Sequence, residues 1–81
     1  MRLSVEFTIE PFVEGNPGAH VIAGIEAARA AGASVEMGPF GTTAVGDRDT
    51  MLNVVDSLCR QATAAGAERI SLQLSVVKEE G

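Results

Sequence analysis

Tryptophan and tyrosine are absent from this chain, and cysteine and histidine occur once each, as Cys59 and His20. A single cysteine makes no internal disulfide, which excludes a disulfide-stapled secreted scaffold and a zinc site built on cysteines. A lone histidine has neither a nucleophile partner nor a second metal ligand nearby in sequence. His20 therefore reads as a surface or capping residue, and no metal site or catalytic dyad is expected. Basic residues are also few. Arg2, Arg29, Arg48, Arg60, Arg69 and Lys78 are scattered along the chain against 11 acids, for a net charge of −5. Phosphate binding needs clustered Lys and Arg, so no nucleic-acid partner is expected. No apolar run approaches the ~20 residues of a membrane span. The first residues, Met1-Arg2-Leu3-Ser4-Val5-Glu6, lack the apolar core of a secretory signal. Together these absences predict a soluble cytoplasmic protein with no membrane partner.

What is present is compact. The 81 residues, 46% of them hydrophobic, fit one domain spanning 1–81. That length is too short for a barrel enzyme or a doubly wound nucleotide-binding fold. A chain of this size buries only ~60–65% of its unfolded surface, so oligomerisation is the expected additional source of stability.

Leu3, Val5, Phe7 and Ile9 alternate with Ser4, Glu6, Thr8 and Glu10, which predicts a half-buried strand that weakens at Pro11. Val13–Asn16 reads as a loop. Asn16 suits an N-cap and Pro17 the first helical position, and Gly32 ends the helix, which is placed at about 17–31. Ser34–Met37 and Thr42–Val45 read as two short strands of a hairpin around Gly38-Pro39-Phe40-Gly41. Asp47 or Asp49 is expected to cap a second helix, whose apolar face is read as Met51, Leu52, Val54, Val55, Leu58, Cys59 and Ala62. Cys59 on that face reads as a small core residue, not a reactive thiol. Gly66 ends this helix, and Arg69–Val77 alternates again as a last strand. Ala30-Ala31-Gly32-Ala33 and Ala64-Ala65-Gly66-Ala67 repeat the same helix end before a strand.

The order β-α-β-β-α-β predicts an α+β, ferredoxin-like sandwich. Its four-stranded antiparallel sheet has order 4-1-3-2, with two helices on one face. Leu3, Val5, Phe7, Ile9, Ile70, Leu72, Leu74 and Val76 are expected beneath the helices. The opposite face carries Glu6, Thr8, Glu10, Ser34, Glu36, Ser71, Gln73 and Ser75. Such a face is stable in water. Its short uncharged residues equally suit packing against a second copy.

Two clusters carry the candidate chemistry. Glu6, Glu10 and Glu36 share the open face, where they are either solvated acids or an attraction for a cationic ligand. No nucleophile accompanies them. Gly38-Pro39-Phe40-Gly41-Thr42-Thr43 has neither phosphate-loop spacing nor its lysine, and Asp47 and Asp49 lack calcium-loop spacing, so no cofactor is expected. The stretch is either a tight turn with a core Phe or a ligand rim. As a rim, Phe40 stacks on a flat ring, the glycines admit close approach, and Thr42 and Thr43 supply hydroxyls. Phe12, just past the first strand, is placed to flank the same region.

At these residues the chain resembles the small thiamine-binding, YkoF-like protein family. The likeness covers nearly the whole chain. It rests on Val5-Glu6-Phe7-Thr8-Ile9-Glu10-Pro11, on Glu36-Met37-Gly38-Pro39-Phe40-Gly41-Thr42-Thr43 and on Ala65-Gly66-Ala67-Glu68-Arg69-Ile70. The resemblance implies a ferredoxin-like fold, assembly as a dimer or tetramer, and binding of thiamine or its hydroxymethylpyrimidine moiety without catalysis. The expected ligand site comprises Phe40, Thr42 and Thr43, with Glu36 or Glu10 balancing the ligand's charge. One position departs from the family: an acid often precedes the glycine before helix two, and here Val45 precedes Gly46. Two alternatives accompany this reading: an oligomeric regulatory or sensor module for another ligand, and a small ferredoxin-like isomerase or hydrolase.

Overall fold

The computed structural model describes residues 1–11, 18–38 and 41–78. Its elements run β1 (Arg2–Glu10), α1 (Ala19–Ala30), β2 (Ser34–Met37), β3 (Thr42–Asp47), α2 (Arg48–Ala64) and β4 (Arg69–Val77). The strands form one antiparallel sheet in the order β2-β3-β1-β4. This is the ferredoxin-like arrangement that the element order predicts.

The alternation of β1 becomes a sharp division of faces. Leu3, Val5, Phe7 and Ile9 are buried, as is Ala44 of β3, and they meet Val21, Ile25 and Ala28 of α1 and Met51, Val54, Leu58 and Ala62 of α2. Both helices end as their repeated sequence predicts. Gly32 and Gly66 take φ of 101° and 106°, a region where a Cβ is unfavourable. In each case the next residue's N–H closes the last turn: Ala33 donates to the Ala28 carbonyl and Ala67 to the Ala62 carbonyl. The β2–β3 hairpin closes through Gly38 N–H donating to the Gly41 carbonyl at 2.7 Å.

The helix starts match expectation in position at α2, where Asp47 is the N-cap, but not in side-chain bonding. Gly18 and Asp47 occupy the N-cap positions, and neither provides a side-chain cap. The expected Asn16 cap and Pro17 start lie outside the described residues. Instead, His20 in the first turn of α1 donates from Nε2 to the Pro11 carbonyl, which ties the helix start to the end of β1. Gly24 lets α1 approach closely: a Cβ there would lie 2.3 Å from Ile9 Cδ1 and 3.5 Å from Ala62 Cβ.

The larger correction concerns β4. Leu72, Leu74 and Val76 pair with Phe7, Val5 and Leu3 and so point to the helix side. Yet they are 40%, 43% and 56% exposed, against 3%, 0% and 3% for their partners. The helices pack on β1, β2 and β3 and stop short of the β4 edge, so only Ile70 of the β4 row is half-buried against the core. Strict alternation identifies which side of a strand faces the apolar layer. It does not say how far that layer extends.

Candidate functional site

The face away from the helices is built by register. Glu36 of β2, Thr43 of β3, Glu6 of β1 and Gln73 of β4 stand opposite one another in a single row across all four strands. One row along, Thr8 pairs with Ser71. Strand neighbours lie ~4.8 Å apart, so each row presents polar groups at a spacing that a small planar ligand spans.

A shallow groove of about 470 Å³ lies on this face. Its polar side chains are Glu6, Thr8, Thr43, Ser71 and Gln73, with Gly38 and Gly41 at one end. A Cβ on Gly41 would sit 3.2 Å from the Phe7 carbonyl oxygen, so glycine keeps this end of the groove low. Phe7, Thr42 and Leu72 also border it. Their side chains alternate to the helix side, so the groove meets their backbone. Glu6 is the charged residue among the described lining, and no Lys or Arg joins it. Arg60 is engaged on α2, where its Nε donates at 3.0 Å to both Asp56 carboxylate oxygens.

The expected site residues are only partly brought together. Thr43 lines the groove and its side chain is half-buried on the open face. Thr42 is buried, 7% exposed, on the helix side, so consecutive threonines on a strand do not serve one ligand. Glu36 lies in the Glu6 row, two strands away, which is ~10 Å between backbone positions. Glu10 is four residues along β1 from Glu6, ~14 Å, and pairs with Arg69. Neither borders the groove. Phe40, like Phe12, lies outside the described residues. Val45 sits on the open face of β3 between Ser4 and Ser34, one row from Thr43, and also stands outside the groove.

Glu6, Thr8, Ser71 and Gln73 are lining residues that the motif-based reading leaves out of the site. The signal was in the strand order. In a 4-1-3-2 sheet β1 is central, so the middle of its polar set, Glu6, falls at the middle of the open face. Among the described residues, no group of three or more His, Cys, Asp or Glu is placed to hold a metal ion. No helix there is long and apolar enough to cross a membrane.

The same fold occurs in solved structures. A hypothetical protein from Methanocaldococcus jannascii is 21% identical with a TM-score of 0.69, covering 98% of this chain and 81% of its own. A domain of unknown function from Bacillus cereus, DUF77, is 22% identical with a TM-score of 0.59, covering 98% and 77%. A Thermotoga maritima protein, provisionally assigned to thiamine biosynthesis or salvage, is 26% identical with a TM-score of 0.55, covering 93% and 81%. Among curated proteins no significant match is found. The family model described as thiamine-binding protein matches residues 5–81.

Proposed function

This chain belongs to the thiamine-binding protein family, and from that premise we propose that it binds thiamine, or its hydroxymethylpyrimidine moiety, on the open face of the sheet without transforming it. The observation that carries this reading is the composition of the groove: one carboxylate, Glu6, among the hydroxyls of Thr8, Thr43 and Ser71 and the amide of Gln73. Thiamine joins a cationic thiazolium to a flat aminopyrimidine with ring nitrogens and an amino group. Glu6 complements the charge or accepts from the amino group. Gln73 and the hydroxyls donate to ring nitrogens. The Thermotoga maritima neighbour's provisional link to thiamine metabolism points the same way.

Distance ranks the three acids. A unit charge ~10 Å away in water, the backbone spacing of Glu36 from Glu6, contributes ~0.4 kcal/mol, and one at ~14 Å, the spacing of Glu10, ~0.3 kcal/mol. A direct hydrogen bond to a charged group is worth ~1.5–3 kcal/mol. Glu6 therefore takes the charge-balancing role, and Glu36 and Glu10 contribute only to the general field. Thr43 keeps its assigned role and Thr42 supports the hairpin from the core side. The stacking role read from sequence stays with Phe40, which lies in sequence between Gly38 and Gly41, two residues that border the groove. Self-association as a dimer or tetramer and a cytoplasmic location belong to the same proposal.

Calorimetric titration with thiamine, hydroxymethylpyrimidine and thiamine pyrophosphate tests it. Thiamine is expected to give saturable heat, and the pyrophosphate to bind more weakly, because the groove offers its phosphates no cation. The absence of heat with both thiamine and hydroxymethylpyrimidine would refute the proposal.

A further inference from the structure

Charge is distributed unevenly along the open face. Every Lys and Arg of the chain lies among the described residues, so the fold fixes where each cation stands relative to the groove. Arg29, Arg48 and Arg60 belong to the helices and pair there with Glu26, Asp49 and Asp56. Lys78 follows the end of β4. Only Arg2 and Arg69 share the open face with Glu6, and each stands opposite an acid: Arg2 opposite Asp47, and Arg69 opposite Glu10. Opposed residues bring their Cβ atoms to ~5 Å, so each couple presents little net charge. The couples lie at the two ends of the face, since Arg2 and Glu10 are each four residues along β1 from Glu6, or ~14 Å. Between them Glu6 is the one charge of the described groove lining.

We propose that the groove admits the free alcohol form of its ligand and rejects the phosphate ester, with Glu10 keeping Arg69 from acting as a phosphate anchor. The protein then acts ahead of the phosphoryl transfer that consumes this alcohol. This selectivity rests on the ligand reading above and adds to it a side of the reaction. Thiamine and hydroxymethylpyrimidine each carry a primary alcohol. A phosphotransferase using a nucleoside triphosphate consumes it. The alcohol oxygen bonds to the γ-phosphorus, the bond from that phosphorus to the β–γ bridging oxygen breaks, the nucleoside diphosphate leaves, and the hydroxyl proton passes to solvent. The ester carries a charge of about −1.5 to −2 where the alcohol carried none.

Proteins hold such a group with Lys, Arg or the start of a helix. The described lining includes no Lys, no Arg and no helix residue, and the Gly38 N–H at its end is occupied by the Gly41 carbonyl. Arg69 is the nearest cation, two residues along β4 from Ser71, or ~7 Å. With Glu10 opposite, it offers a phosphate no net attraction. Within ~6 Å of Glu6, a charge of about −2 is repelled enough to weaken binding roughly 10-fold, even with the full screening of bulk water.

The test is calorimetric titration of the parent with thiamine, thiamine monophosphate, hydroxymethylpyrimidine and hydroxymethylpyrimidine phosphate. The titrations are run at 0.01 M and 1 M salt, where the screening lengths are ~30 Å and ~3 Å. At low salt each alcohol is expected to bind about 10-fold more tightly than its ester, and at high salt the gap should fall to about twofold. Glu10→Gln, checked for folding by circular dichroism, should narrow the low-salt gap about threefold by leaving Arg69 unbalanced. The double variant Glu10→Gln with Arg69→Gln should restore it. An ester that binds the parent as tightly as its alcohol would overturn the proposal, as would a gap that either high salt or Glu10→Gln leaves unchanged. Those failures leave the ligand reading standing. No saturable heat with either alcohol would instead overturn the ligand reading, and this selectivity with it.

Discussion

Glu6 stands on the open face of the sheet and Gly24 in helix α1 on the other side, and each is decided by what lies within a few ångströms. Glu6 borders the groove while Glu10 and Glu36 do not. Glu6→Gln is therefore expected to weaken thiamine binding by ~1.5–3 kcal/mol, the worth of a charge-assisted hydrogen bond. Glu10→Gln should change it by no more than ~0.3 kcal/mol. Parallel titrations of the two variants measure the difference, and equal losses would remove Glu6 from its role. At Gly24 two effects compete. Helix propensity favours Ala by ~1 kcal/mol, but the new Cβ meets Ile9 Cδ1 at 2.3 Å, and overpacking costs ~1–3 kcal/mol. Gly24→Ala should be destabilising overall. Ile9→Val removes the clashing methyl, so the double variant should be more stable than the sum of the two single changes. Urea denaturation of the four proteins reads this coupling, and strict additivity would show that Ile9 simply turns away.

Among the elements, the helix ends and β4 show what the sequence made legible and what it did not. The repeated Ala-Ala-Gly-Ala segments predict two left-handed glycine stops, and Gly32 and Gly66 take that conformation. Nothing lies within 4 Å of a Cβ at Gly66, so Gly66→Ala isolates the backbone cost. A loss of ~1–2 kcal/mol in denaturation is expected, and an unchanged midpoint would contradict it. β1 and β4 have the same alternation, yet one row is buried and the other exposed. Periodicity records a side, whereas burial depends on where α1 and α2 come to rest, which is a property of helix packing across distant residues. The same limit applies to the site. Gly38–Thr43 identifies the groove's end by local chemistry, but Thr42 and Thr43 separate to opposite faces because strands alternate. Ser71 and Gln73 enter only through pairing with a strand some 65 residues earlier. His20 reads as a first-turn surface residue from sequence, and its bond to the Pro11 carbonyl is a contact that only the folded chain supplies.

For the molecule as a whole, net charge and open face act together. An acidic protein with a net charge of −5 attracts a cationic ligand more strongly at low ionic strength, where the screening length grows from ~8 Å at physiological salt to ~30 Å at 0.01 M. Thiamine affinity is therefore expected to fall as salt rises. A neutral hydroxymethylpyrimidine should show little salt dependence, and the reverse pattern would argue against charge pairing in the groove. The proposed binding of thiamine over Glu6 and Thr43 is tested by one calorimetric titration series at low salt: thiamine into the parent and into folded Glu6→Gln. The expected result is saturable heat with the parent and an affinity about 10- to 100-fold weaker in the variant, the equivalent of the lost charge-assisted hydrogen bond. No saturable heat with the parent, or equal affinity in both proteins, would contradict it.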